Sequence, residues 1–190
     1  MIEQVHVKLK KLVPEATIPT YAHEGDIGMD IYVTSIEYNE ENDMFIYHTG
    51  LALETDNEHG ILLFPRSSNR NTELYLANHV GIADTAIYRG EIVFSFKCRD
   101  SLKTLASSMA SALLIDEMAE GTDPKIAAIQ ARELFRSILH EEDHTKRSPY
   151  KVGDRIGQMV PTKMAKIIID VTDELSESDR GTGGHGSTGK

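Results

Sequence analysis

Val5-His-Val-Lys-Leu-Lys10 alternates apolar and polar side chains without a break, the period of a strand with one face buried. Short β-type runs follow at Met29–Val33, Met44–Tyr47, Gly60–Phe64, Leu74–Leu76, Glu91–Cys98, Arg155–Val160 and Ile167–Val171. Polar turn-formers separate them, among them Glu40-Glu-Asn-Asp43 and Thr55-Asp-Asn-Glu-His-Gly60. Many short strands joined by polar turns predict a mainly β barrel or sandwich.

Residues 101–145 break that rhythm. Leu102, Leu105, Met109 and Leu113 fall on one helical stripe, backed by Ala106, Ala110 and Ala112; Ala127, Ala131, Leu134, Phe135 and Ile138 form a second. Gly121-Thr-Asp-Pro124 between them reads as a stop and a start, with Asp123 as N-cap and Pro124 at the first helical position. The expectation is a helical hairpin inserted into a β protein, its stripes buried against each other and the barrel. A surface for a protein partner is the alternative.

A length of 190 residues fits one domain carrying an insertion, and 40% hydrophobic with 26% charged residues is the composition of a globular protein. A net charge of −10 argues against direct nucleic-acid binding, which relies on neutralising phosphates, but leaves room for a small phosphorylated ligand. The lone Cys98 excludes an intrachain disulfide framework and suits a reducing compartment. No apolar run reaches the roughly 18 residues of a membrane span, and Met1-Ile-Glu-Gln4 lacks the basic and apolar character of a signal sequence. A cytoplasmic location, away from membranes, is expected.

Polar clusters sit where strands end. Gly25-Asp-Ile-Gly-Met-Asp30 is an acidic turn entering a strand, and Phe64-Pro-Arg-Ser-Ser68 ends an apolar run in a cation and two hydroxyls, as a phosphate contact requires. Asn78-His-Val-Gly-Ile-Ala-Asp84-Thr-Ala-Ile-Tyr88-Arg-Gly-Glu91 places an amide, a carboxylate and an aromatic in one hairpin. Gly153-Asp-Arg-Ile-Gly-Gln158 runs into a strand with an amide in an apolar stretch, costly there without a partner. The last stretch, Arg180-Gly-Thr-Gly-Gly-His-Gly-Ser-Thr-Gly-Lys190, has five glycines and no apolar anchor. Residues 176–190 are therefore expected to form a flexible arm until a polyanion orders it, since fixing each residue costs about 1–2 kcal/mol. Gly184 to Lys190 also spells the start of a P-loop, a motif that needs Ser or Thr after the lysine and then a helix; a Walker-type site is not expected here.

In this order the four clusters and the glycine-rich end resemble the five motifs of the trimeric dUTPase family. The resemblance runs from Gly25 to Gly189 and skips the helical insertion. It implies a jelly-roll β-barrel, a homotrimer with active sites shared between subunits, and Mg²⁺-dependent hydrolysis of dUTP to dUMP and pyrophosphate. By the same resemblance, Asp84 activates the water that attacks the α-phosphorus. Asn78 and the hairpin backbone, including Gly81, read uracil, while Tyr88 lies under the deoxyribose. Arg66, Ser67 and Ser68 serve the phosphates with Gln158, and Asp30 stands near the metal's water shell. Arg180 holds the γ-phosphate, His185 stacks on the base, and Gly186, Ser187 and Thr188 close over the phosphates.

Three departures from the family pattern stand out. His185 replaces the usual phenylalanine, as in some bacterial members. One residue more than usual separates Asp84 from Tyr88, so Ile87 is either inserted or takes the tyrosine's place. The helical insertion resembles those of some phage enzymes. Two other readings remain: a regulatory protein of this fold whose partner binding depends on nucleotide, and the homologous dCTP deaminase. The deaminase needs a glutamate where Gly90-Glu-Ile-Val-Phe-Ser-Phe96 carries Ser95.

Overall fold

The computed structural model describes residues 4–99, 102–139, 144–174 and 176–178. Among the described residues ten strands form: β1 Lys8–Lys11, β2 Met29–Tyr32, β3 Ser35–Asn39, β4 Met44–His48, β5 Leu51–Glu54, β6 His59–Pro65, β7 Leu74–Leu76, β8 Gly81–Ala83, β9 Val93–Cys98 and β10 Arg155–Lys163. Two four-stranded sheets, ordered β2-β10-β6-β8 and β3-β4-β9-β7, are accompanied by the pair β1-β5. Alternation along the strands sends Ile31, Ile61, Leu63, Ile156 and Met159 of one sheet inward against Phe45, Tyr47, Phe94 and Phe96 of the other, in one apolar core. The fold is a jelly-roll-like β sandwich.

Gly157 shows how closely the strands approach. A Cβ there would lie 2.2 Å from the Phe94 ring and 2.9 Å from the Phe64 carbonyl oxygen. Glycine is thus the residue that lets β10 lie between β2 and β6 while Phe94 fills the core.

The first strand pairs later than its alternation suggests, because β5 offers a partner only to Lys8–Lys11. Strands β3, β5 and β8 are not evident in the sequence: β8 has three residues, and Leu51-Ala-Leu-Glu54 becomes a strand through its pairing with β1. The expected strand at Ile167–Val171 does not form. Ile167, Ile168, Ile169 and Val171 are 88%, 85%, 79% and 95% exposed. An extended apolar segment becomes a strand only when another strand takes up its hydrogen bonds, and among the described residues none pairs with it.

Two helices follow β9: α1, Leu102–Ala119, and α2, Pro124–Leu139. Asp123 caps α2 as predicted, accepting the Lys125 N–H on its side chain at 2.8 Å, with Pro124 next. Gly121, at φ +87°, makes the turn after α1. The helices pack on each other through small residues, with Ala106, Ala127 and Ala131 buried. The expectation that the stripes are buried is corrected in part: Leu105 and Met109 stay exposed and Leu113, Leu134, Phe135 and Ile138 are half-buried, while Ile115, Met118, Ile126 and Ile129, outside the stripes, are exposed as well. Alanine contacts draw the helix axes together and leave larger neighbours on the outer flanks. No described helix is long and apolar enough to cross a membrane.

Candidate active site

Strand β8 pairs with β6 over three residues, Gly81 opposite Leu63 and Ala83 opposite Ile61, and then the ladder ends. Asp84 is the first residue beyond it and is exposed. Thr85 turns inward, fully buried, with its hydroxyl 2.7 Å from that of Thr55; Thr55 donates to the His59 carbonyl at 2.7 Å. These buried hydroxyls hold the chain directly behind Asp84.

The Asp84 carbonyl accepts two backbone N–H groups, from Ile87 at 2.9 Å and Tyr88 at 2.7 Å. A single turn thus spans Asp84 to Tyr88. Ile87 points away, 82% exposed, and Tyr88 takes the inner position. The tyrosine folds over Gly90, where a Cβ would lie 2.2 Å from its hydroxyl oxygen, and donates to the Glu91 carbonyl at 3.2 Å. Arg89 bonds the Thr85 carbonyl at 2.8 Å and pairs with Glu54, securing the loop from outside.

Asn78, Gly81, Asp84 and Tyr88 line one open cleft of about 250 Å³, with Leu63, Ile82, Ile92 and Val93 as apolar walls. Four residues singled out in the sequence thus meet in one cavity. The Asp84 carboxylate has no ion-pair partner among the described residues, so it is available to a bound water or ligand.

Glu91, to which the sequence reading assigned no role, anchors the far wall. Its carboxylate accepts the N–H groups of Thr49 at 3.1 Å and Gly50 at 2.7 Å, and lies 2.9 Å from His48 Nδ1. Burial alone would raise the Glu91 pKa, but His48 and the two amides lower it on balance. Burial likewise opposes charge on His48, and the Glu91 and Glu37 carboxylates overcome that and raise its pKa.

The remaining predicted residues form a second cluster at one end of the β2-β10-β6 ladder. Gln158 sits opposite Asp30 on β2 and opposite Phe64 on β6. Asp30 is buried, its Oδ1 accepting Arg66 Nε at 3.0 Å and Gln158 Nε2 at 3.2 Å, its Oδ2 accepting Arg155 Nη1 at 3.1 Å. The lone polar side chains of this stretch therefore satisfy one another. One carboxylate orients two guanidiniums and leaves a surplus positive charge, the electrostatics of an anion site. Ser67 and Ser68 open the exposed 3-10 helix Ser67–Asn71 that follows Arg66.

Asp30, expected near a metal's water shell, is held in this structure by its own neighbours. Its side chain is 3% exposed and both oxygens are committed to Arg66, Arg155 and Gln158. Among the described residues no three His, Cys, Asp or Glu side chains converge as a metal cage. The described residues fit Mg²⁺ held by phosphate oxygens and water, its common mode with nucleotides. None of Asp30, Arg66, Ser67, Ser68 and Gln158 lines the cleft of Asp84. Arg180, His185, Gly186, Ser187 and Thr188, with the P-loop-like stretch Gly184 to Lys190, lie outside the described residues. Arg155 went unassigned in the sequence although it stands two residues before Gly157 in a quoted motif; pairing with a buried acid on a neighbouring strand leaves no local signal.

Residues 14–102 match the model of the family described as dUTPase. The chain is 30% identical over 186 residues to the deoxyuridine 5'-triphosphate nucleotidohydrolase of Picosynechococcus sp., covering 97% of this chain and 99% of that one. It is 29% identical over 189 residues to the enzyme of that name from Clostridium tetani, covering 97% of each. In three dimensions it resembles the dUTPase of Staphylococcus bacteriophage 80alpha, solved with dUpNHpp. The TM-score is 0.60 at 19% identity, over 97% of this chain and 99% of that one. The dUTPase from phage phi11 of S. aureus, described with a structural Mg(II) ion, aligns at a TM-score of 0.54 and 17% identity over 90% of this chain and 98% of that one. These two likenesses speak to the fold.

Proposed function

The chain belongs to the dUTPase family, and we propose that it hydrolyses dUTP to dUMP and pyrophosphate, limiting uracil available for DNA synthesis. The convergence of Asn78, Gly81, Asp84 and Tyr88 on one cleft carries this reading. Asn78 and the backbone at Gly81 meet the uracil edge, and Tyr88 lies beneath the deoxyribose, where a 2′-hydroxyl would collide. Asp84 orients a water for in-line attack on the α-phosphorus and takes its proton, the bond to the bridging oxygen breaking as pyrophosphate leaves. Arg66, Ser67, Ser68 and Gln158 hold the phosphate chain, and Asp30 aims Arg66 and Gln158. Mg²⁺, held by the phosphates themselves, would neutralise charge that otherwise repels the incoming water.

The phosphate-side residues do not line the Asp84 cleft of their own chain, which supports an active site completed by a second copy in a homotrimer. Exposed Ile82 on edge strand β8 and the exposed run Ile167–Val171 supply apolar surface for such contacts. The arm at 176–190 then closes over the nucleotide, with Arg180 on the γ-phosphate, His185 on the base, and Gly186, Ser187 and Thr188 over the phosphates.

Pyrophosphate release from dUTP, dCTP, dTTP and UTP, assayed in parallel with Mg²⁺, tests the reading. Turnover confined to dUTP is expected; equal turnover of dCTP or none of dUTP overturns it. The exposed side chains of Ile115, Met118, Ile126 and Ile129 favour an additional role of the helices in holding a protein partner.

A further inference from the structure

Ser148-Pro-Tyr150 brings the chain back from the helices into the sandwich. Ser148 Oγ donates to the Tyr150 carbonyl at 2.7 Å, so its one proton is spent; the Tyr47 phenol, 2.7 Å away and fully buried, is then the donor to Ser148. The Tyr150 ring stands edge-on to Tyr47, centroids 5.7 Å apart at 86°, and packs on Phe96 at 6.2 Å. Its position is fixed by the core.

The Tyr150 phenol reaches out of that core and donates to Asn69 Oδ1 at 3.0 Å. Asn69 lies in the 3-10 helix Ser67–Asn71, and its side chain also accepts from Thr72 at 3.1 Å and donates to the Leu74 carbonyl at 2.9 Å. The Asn69 N–H closes the turn on the Arg66 carbonyl at 2.9 Å. A 3-10 helix this short has poor intrinsic hydrogen-bond geometry, and Arg66 makes no side-chain cap for it. Side chains from outside must therefore hold Ser67 and Ser68 in place.

We propose that Tyr150 is a positioning residue for the phosphate-binding turn: its phenol fixes Asn69, and Asn69 fixes the Ser67 and Ser68 hydroxyls relative to Arg66. The inference rests on the reading above that these hydroxyls meet the triphosphate. It also makes the return leg of the helical segment part of the active-site scaffold. Small displacements of positioning groups carry large rate penalties.

Tyr150→Phe deletes one hydroxyl and keeps the ring in the core. The full-length variant is compared with wild type in dUTP turnover, thermal unfolding, and affinity for α,β-imido-dUTP and for dUMP. The expected result is an unfolding temperature close to wild type and dUMP affinity unchanged. The imido analogue should bind about five-fold more weakly, with KM for dUTP raised to match. Asn69→Ala should lose at least as much, since it also gives up the Thr72 and Leu74 bonds, and the double variant should be no worse than Asn69→Ala alone, because Tyr150 acts through Asn69. Equal weakening of dUMP and the imido analogue would assign Tyr150 a merely structural role, and wild-type kinetics in Tyr150→Phe would remove it from the site; either overturns the inference. If wild type itself releases no pyrophosphate from dUTP, the functional reading has failed and the inference falls with it.

Discussion

The backbone N–H of Tyr88 donates to the Asp84 carbonyl at 2.7 Å, a reach of four residues rather than three. The same carbonyl also accepts Ile87, and the turn leaves Tyr88 lining the cleft. Ile87 is 82% exposed. Replacing Ile87 with Ala should leave the ratio of kcat/KM for dUTP over UTP within two-fold of wild type, roughly the scatter expected of a surface change. Tyr88→Ala should lower that ratio by about ten-fold, chiefly by admitting UTP. The reverse pattern would give Ile87 the role of sugar gate.

This turn also marks what the sequence can and cannot disclose. Asn78, Gly81, Asp84 and Tyr88 are close along the chain, so one hairpin brings them together and their shared cleft is legible from residue order. Local chemistry likewise makes Asp123 and Pro124 legible as a helix start. The Asp30 hub is different: its partners Arg66, Arg155 and Gln158 come from separate segments, and only strand pairing reveals that the acid bonds all three. Tyr150 and Glu91 escaped notice for the same reason. Apolar periodicity predicted Ile167–Val171 as a strand, yet periodicity carries no information on whether an edge is available to pair.

Replacing Asp84 with Asn keeps the shape of the side chain and removes its charge and basicity. Turnover of dUTP should fall at least about 10²-fold, within the range general-base catalysis supplies, while the imido analogue still binds. Near-normal turnover would disqualify Asp84. A chain lacking residues 180–190 should also be nearly inactive. Mixed with Asp84→Asn chains it should recover activity, because each lesion then falls on a different copy; verified mixed trimers without recovery would show that the arm serves its own chain.

Asp30→Asn leaves two guanidiniums facing one another without the anion between them. The loss of charge-assisted hydrogen bonds should cost on the order of 2 kcal/mol, read as a lower urea midpoint. The KM for dUTP should rise as Arg66 and Gln158 lose their aim. If Asp30 instead acts through a metal, the defect should shrink as Mg²⁺ is raised; we expect no such rescue.

The His48–Glu91 pair makes stability depend on pH on both sides. The His48 pKa is raised in the folded protein, so its contribution is fully present below the ordinary histidine value near 6.5 and is lost as pH rises through the folded value. The Glu91 pKa is lowered, so its contribution is present above the ordinary glutamate value near 4.3 and is lost as pH falls through the folded value. Together they favour the folded chain most between those limits. Unfolding temperature measured across pH 4 to 9 should decline through the His48 titration in wild type, and His48→Gln should flatten that limb. An unchanged slope would assign the decline to other groups.

Cutting out the helices tests whether they belong to the active body. The aromatic contact between Phe96 on β9 and Tyr150 shows that the departing and returning chains run close together, so a short Gly/Ser linker can replace residues 102–139. Changing loop length alters closure entropy only slowly, about 0.6 kcal/mol per doubling. His144 to Tyr150 must stay, since Ser148 and Tyr150 tie the core to Asn69. The shortened chain should remain a soluble trimer that hydrolyses dUTP with a KM within about three-fold of wild type. It also loses the exposed Ile115, Met118, Ile126 and Ile129, so any partner bound by the helices should no longer be retained. Sedimentation decides the matter: an active trimer makes α1 and α2 an accessory module, whereas monomers or aggregates would show that their exposed apolar flanks are built into the assembly itself.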